Sequence, residues 1–159
     1  MHGRPIKAFV FLTYLIFSSG SLYAQSPAYG DNISLNQARE VAAAAIAEAK
    51  RQQFRMAVAI VDTGGHLVYF ERLDDTQTAS VDVAIAKAKS ANNFRRPTKT
   101  FEDVVNGGRT SVLGLPGAVP IEGGLPILVG GKIIGAIGVS GASSQEDGVV
   151  ADAGVRVLK

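Results

Sequence analysis

The stretch Pro116-Gly-Ala-Val-Pro-Ile-Glu-Gly-Gly-Leu-Pro-Ile-Leu-Val-Gly-Gly-Lys-Ile-Ile-Gly-Ala-Ile-Gly-Val-Ser-Gly141 decides how this chain is read. Between Asn106 and Gly148 lie 12 of its 18 glycines. Glycine weakens regular structure, so glycines interleaved with Ile, Val and Leu indicate strands whose backbone approaches something closely: a ligand, a turn or another subunit. Three strands are expected here, Ala118 to Ile121, Leu125 to Val129 and Lys132 to Val139. Gly130-Gly131 supplies a two-residue hairpin turn between the last two.

Working outward, Asp147 to Leu158 reads as a closing helix. Upstream, Pro97 stops one helix and Thr98 can cap a short one carrying Phe101, Val104 and Val105. Before it, Thr78 to Asn92 has an apolar stripe of Val81, Ile85, Ala88 and Ala91. The continuous apolar run Met56 to Val61, the turn Asp62-Thr-Gly-Gly65 and the alternating segment His66 to Leu73 read as a β-hairpin. The first helix opens at Ser34, where Gln37 completes a capping box, and ends near Gln53. Helix, two strands, two helices, three strands and a helix give an α+β fold with a five-stranded, mainly antiparallel sheet. A parallel nucleotide-binding sheet would need a helix after every strand, so it is disfavoured.

Residues 1–24 read as a secretory signal peptide: Arg4 and Lys7 form the basic end, Ala8 to Phe17 the apolar core, with cleavage expected after Ala24. That core is too short to span a bilayer. Residues 25–33 read as a polar linker and residues 34–159 as one domain. Removal of Arg4 and Lys7 leaves 14 basic residues against 14 acids. A formally neutral mature chain has no electrostatic footprint for nucleic acid, and no membrane insertion is expected after leader removal. The absence of cysteine excludes disulfides, thiolate metal sites and a cysteine nucleophile.

Several pieces together resemble the GlcG/HbpS family of haem-binding and haem-degrading proteins, which includes the C-terminal domain of PduO. They are Val61-Asp-Thr-Gly-Gly-His66, Lys87-Ala88, Phe94-Arg-Arg-Pro-Thr98, Pro116-Gly117, Pro120-Ile-Glu-Gly-Gly-Leu-Pro-Ile127 and Ile134-Gly-Ala-Ile-Gly-Val-Ser-Gly141. Asp147 and Ala153-Gly154 extend the match. The resemblance implies a single compact profilin/PAS-like sandwich, assembled as a homo-oligomer, often an octamer. Exported members bind haem, some described as redox sensors and some as haem-degrading, so the resemblance predicts fold better than reaction.

Direct coordination of haem iron needs a nitrogen, thioether or oxygen ligand. His66 is the only histidine of the mature chain and is the candidate metal ligand; the competing reading is an exposed residue after a Gly-Gly turn. Tyr69 is a second candidate three residues on, with an ordinary strand aromatic as the alternative, and Met56 reads as core. Arg95, Arg96 and Thr98, at a helix start, could meet a haem propionate or a small carboxylate, and Arg109 after Gly107-Gly108 could line the same cleft. Glu122, between Ile121 and two glycines, could line a ligand site or, with Asp62, act as a base. No His/Asp/Glu cluster has metal spacing, no Walker loop is present, and Ser111 and Ser140 lack a base and orienting acid.

The expected function is therefore an exported, periplasmic or secreted protein that captures or senses haem, with oxidative haem degradation left open. The alternatives are a binding module for a small, glycolate-like organic acid, and a small-molecule lyase or isomerase using Asp62 or Glu122.

Overall fold

The run Met56 to Val61 lacks polar alternation because its strand is covered on both faces. In the computed structural model, which describes residues 26–158, β1 (Ala57–Asp62) lies inside a four-stranded antiparallel sheet. The strand order is β2-β1-β4-β3, with β2 at Leu67–Arg72, β3 at Gly124–Val129 and β4 at Lys132–Ser140. The expected leader lies outside the described residues. No helix among the described residues is long and apolar enough to cross a membrane.

Alternate residues of β1 serve two different layers. Val58 and Ile60, with Ile137 and Val139 of β4, face α1 (Leu35–Arg51) and α4 (Ser144–Val155) in an aliphatic core. Each fully buried Val or Ile there contributes roughly 1.5–3 kcal/mol of transfer free energy. Ala57, Ala59, Val61 and Ala136 face α2 (Ser80–Phe94), which answers with Ala84, Ala88 and Ala91. This second layer is built almost wholly of alanine, so helix and sheet lie unusually close. A Cβ on Gly138 would strike the carbonyl oxygen of Ala84 and the amide of Ala88. The close approach that calls for glycine is thus made by the chain's own helix. The same proximity turns α2 from the expected stripe: Ala84 is buried, while the larger Val81 and Ile85 sit at the margins, half-buried.

Of the five expected strands, Ala118 to Ile121 is not one. Pro116 and Pro120 have no N–H. The Ala118 N–H is used on Leu115 O at 3.1 Å and the Val119 N–H on the buried Ser90 hydroxyl of α2 at 3.0 Å, so the segment runs as a loop. The polar linker does join the sheet. β1 ends opposite Gly135, and beyond that point Tyr29 pairs with Ile133, through Ile133 N–H to Ala28 O and Gly30 N–H to Ile133 O.

The helix ends follow local chemistry. Ser34 and Gln37 form the expected capping box of α1. Ser143 and Glu146 form a second, starting α4 three residues before the expected Asp147. α3 (Lys99–Asn106) follows Thr98, but the Thr98 side chain does not cap it. A 3-10 turn, Thr110–Gly114, comes after.

Candidate functional site

The turn carrying His66 is set by Asp62. One carboxylate oxygen, Oδ1, accepts the Gly64 and His66 N–H groups, both at 2.9 Å, and Gly65 supplies a φ of 79°. The turn is seated on the C-terminal end of α2, where Asn92 Nδ2 donates to Thr63 O at 2.9 Å. Asn92 is fully buried, and its Oδ1 has no partner among the described residues. The His66 side chain is 83% exposed, with Nδ1 3.4 Å from Asp62 Oδ1. With Nδ1 on the Asp62 side and the ring largely exposed, Nε2 is open to an incoming ligand.

Tyr29 and Arg95 join this end of α2. The Tyr29 hydroxyl donates to Asn92 O at 2.8 Å, and the Arg95 guanidinium lies 5.8 Å from the Tyr29 ring centroid. Arg95 closes α2 in the left-handed region, at φ 54°, which reverses the chain direction there. Sequence reading placed Tyr29 in a linker and gave it no role; its register beside Ile133 is what carries it to the site.

Arg95 and the next residue, Arg96, together line a cleft of about 310 Å³ with Pro27, Leu125 and Leu128. Arg96 also lies 5.7 Å from the Phe101 ring and lines a further cleft, of about 380 Å³, with Arg109. Arg109 is placed by the end of α3, where Gly108 takes a φ of 91° and the Arg109 N–H donates to Val104 O at 3.1 Å. Phe101, Val104, Val112 and Leu115 supply the apolar lining of the cleft it shares with Arg96. Thr98 belongs to neither group. It is fully buried; its N–H donates to Gly124 O and its hydroxyl accepts from Gly124 N–H at 2.9 Å, so it anchors the start of β3.

The other sequence candidates are held in structural contacts. Tyr69 packs toward the α1 layer, away from the turn, and its hydroxyl donates to Glu71 Oε2 at 3.0 Å. That hydrogen bond raises the Tyr69 phenol above its ordinary pKa, which disfavours the phenolate an iron ligand requires. The glycines after Glu122 do not open a ligand path: a Cβ on Gly123 would meet Asp147, Val139 O and Lys87 Nζ, and one on Gly124 would meet Lys87 O. Glu122 Oε2 sits 3.8 Å from Lys99 Nζ, and the Glu122 N–H donates to Glu102. Asp62 is opposite Gly135, whereas Gly123 bonds to Val139, four residues along β4 and roughly 13 Å away. The two carboxylates therefore do not form an acid/base pair.

Beneath the Glu122-Gly-Gly loop is an ion pair with no assigned role in the sequence reading. Lys87 Nζ donates to Asp147 Oδ2 at 2.7 Å and to Val139 O at 3.1 Å, with both side chains buried. Burial pushes the Asp147 carboxyl above its ordinary pKa, against the opposing pull of Lys87 and of the Ala142 and Gly141 amides. A signal was available: Ala84, Lys87, Ala88 and Ala91 share the i, i+3, i+4, i+7 spacing of one buried face.

Among the described residues no three His, Asp or Glu side chains are grouped to hold a bare metal ion. The arrangement instead offers one outward nitrogen ligand, a cation on an aromatic ring, and exposed Leu67 next to His66. That donor set suits a planar, carboxylate-bearing iron macrocycle better than a bare ion.

The comparisons with known proteins agree with this architecture. The model of the family described as haem degrading protein HbpS-like matches residues 33–156. Protein GlcG of Escherichia coli (strain K12) is 39% identical over 108 residues, which cover 68% of this chain and 81% of GlcG. The crystal structure of HbpS superposes with a TM-score of 0.75 at 30% identity, covering 82% of this chain and 92% of that one. The structure of a PduOC:heme complex superposes with a TM-score of 0.73 at 27% identity, covering 80% and 96%. With its helices, glycine-bearing β4 and Asp147-bearing α4 all inside the matched span, the chain belongs to the HbpS-like family.

Proposed function

We propose that this protein is exported and binds haem, capturing or sensing it in the periplasm or outside the cell. The observation that carries the reading is the exposed His66 imidazole, its Nδ1 3.4 Å from Asp62 Oδ1, on a turn seated against the end of α2 that also presents Arg95. Family membership and the haem complex of a related domain support it. His66 would hold iron and Arg95 a propionate, and bound haem would supply redox-active iron. The residues themselves place the ligand: Asp62 fixes the backbone of the turn that carries His66, and Asn92 fixes both the turn and Tyr29.

Haem titration of residues 25–159, followed at the Soret band, tests this. Wild type is expected to saturate with a shifted Soret. His66→Ala is expected to change the band position and weaken binding about tenfold or more, as loss of a metal-ligand interaction does. Absence of saturable uptake by folded wild-type protein rejects the reading, and an unchanged Soret in the variant moves the ligand away from His66.

The same reading includes a homo-oligomer. The glycines of β4 are covered within the subunit, so what supports assembly is the exposed apolar side chains, including Leu113, Ile121, Val149 and Val157. Light scattering on the mature chain is expected to give a mass several times that of one subunit; a strict monomer at micromolar concentration rejects it. Any haem breakdown would appear as Soret loss on adding peroxide, reduced in His66→Ala.

A further inference from the structure

We propose that the cleft between α3 and the Thr110–Gly114 turn is a second ligand site, for a carboxylate with a short apolar body, separate from the haem site of the proposed function. Among the described residues neither Arg96 nor Arg109 has an acid within ion-pair distance, although Lys99 on the same helix finds Asp103 at 2.8 Å. Arg96 is held in place, with Nε donating to Phe94 O at 3.1 Å and its guanidinium near the Phe101 ring. Arg109 is delivered to the same cleft from the opposite end of α3 by the Gly108 turn.

The remaining lining sets the rest of the ligand. Besides the two arginines the cleft is lined by Phe101, Val104, Val112 and Leu115, with only the Thr100 and Ser111 hydroxyls as further polar side chains. A sugar or polyol would leave most of its hydroxyls unpaired against that surface, at a cost for each. A carboxylate head with an aliphatic or aromatic body matches both features, because guanidinium binds carboxylate through a planar fork and the body covers the apolar floor. A volume of about 380 Å³ is at the small end of ligand sites. The site is distinct from that of His66, because neither His66 nor Arg95 is among the residues that line it.

The test is calorimetric titration of the haem-free mature protein with hexanoate, with hexanol as the neutral control. Saturable hexanoate binding, absent for hexanol and weakened by salt, is expected. Arg109→Gln should weaken it about tenfold, the loss of a charge-assisted hydrogen bond, while His66→Ala leaves it unchanged. Because Arg109 is exposed, the variant should keep the wild-type melting temperature without ligand. The proposal is overturned by no saturable heat at millimolar hexanoate, by equal binding of hexanol, or by undiminished binding in Arg109→Gln. It is also overturned if that variant alters the mass seen by light scattering, which would make the cleft a contact between copies of the chain. Loss of hexanoate binding in His66→Ala would overturn the separateness of the site, whereas failure of haem uptake alone would leave hexanoate binding intact.

Discussion

Asp147→Ala is expected to destabilise the protein by about 3–5 kcal/mol, the cost of leaving a buried charge without its partner. Lys87 is only 1% exposed, so its ammonium cannot turn to water and would keep a single carbonyl, Val139 O. The Ala142 N–H would lose its acceptor as well. The pair itself is not a strong source of stability, since burial raises the Asp147 pKa in spite of the adjacent ammonium. What the pair does is join α2, β4 and the start of α4 at one point. Combining Lys87→Met with Asp147→Ala should therefore recover at least half of the loss, because the stranded charge is gone. Urea unfolding of the three proteins measures this. A single variant within 1 kcal/mol of wild type, or a double variant worse than the single, would contradict the account.

The second large effect is at Gly138. Overpacked cores usually cost about 1–3 kcal/mol, because neighbouring side chains can shift. At Gly138 the obstacles are backbone atoms of Ala84 and Ala88, so the whole of α2 would have to lift from the sheet. Gly138→Ala is expected to cost at least about 3 kcal/mol, the upper end of that range, or to prevent folding. Gly114→Ala is the control. Nothing lies within 4 Å of its Cβ position, and its φ is not in the left-handed region, so the change should stay within about 0.5 kcal/mol of wild type. Equal stabilities for the two variants would mean that helix and sheet are farther apart than described.

What could be read from sequence was whatever neighbouring residues decide among themselves. The Ser34 and Gln37 capping box, the Gly130-Gly131 turn and the doubly buried β1 were legible because each signal lies within a few residues. The glycines of β4 announced a close approach but not its partner, since α2 is some fifty residues away in the chain. The Ala118 to Ile121 strand was miscounted because its two prolines and the side chain of Ser90 decide where its donors go. In the site, His66 stood out by inventory alone. The different aromatic partners of Arg95 and Arg96 were not readable, because they follow from one left-handed residue that is not glycine. Thr98 looked like a cap by position, and only the return of Gly124 shows why its hydroxyl points inward.

The contrast between the two layers bears on how the sequence can drift. On the α1 and α4 side, aliphatic chains of several sizes interlock, so one can grow while a neighbour shrinks. On the α2 side most contacts are already made by alanine or glycine, and only Val61, Phe70 and Ile85 have bulk to lose. A saturation library should accordingly show a plastic half and a frozen half within one small domain. The frozen half includes the helix whose last turn carries Asn92 and Arg95, so the spacing between that turn and the His66 loop is maintained by residues that touch neither.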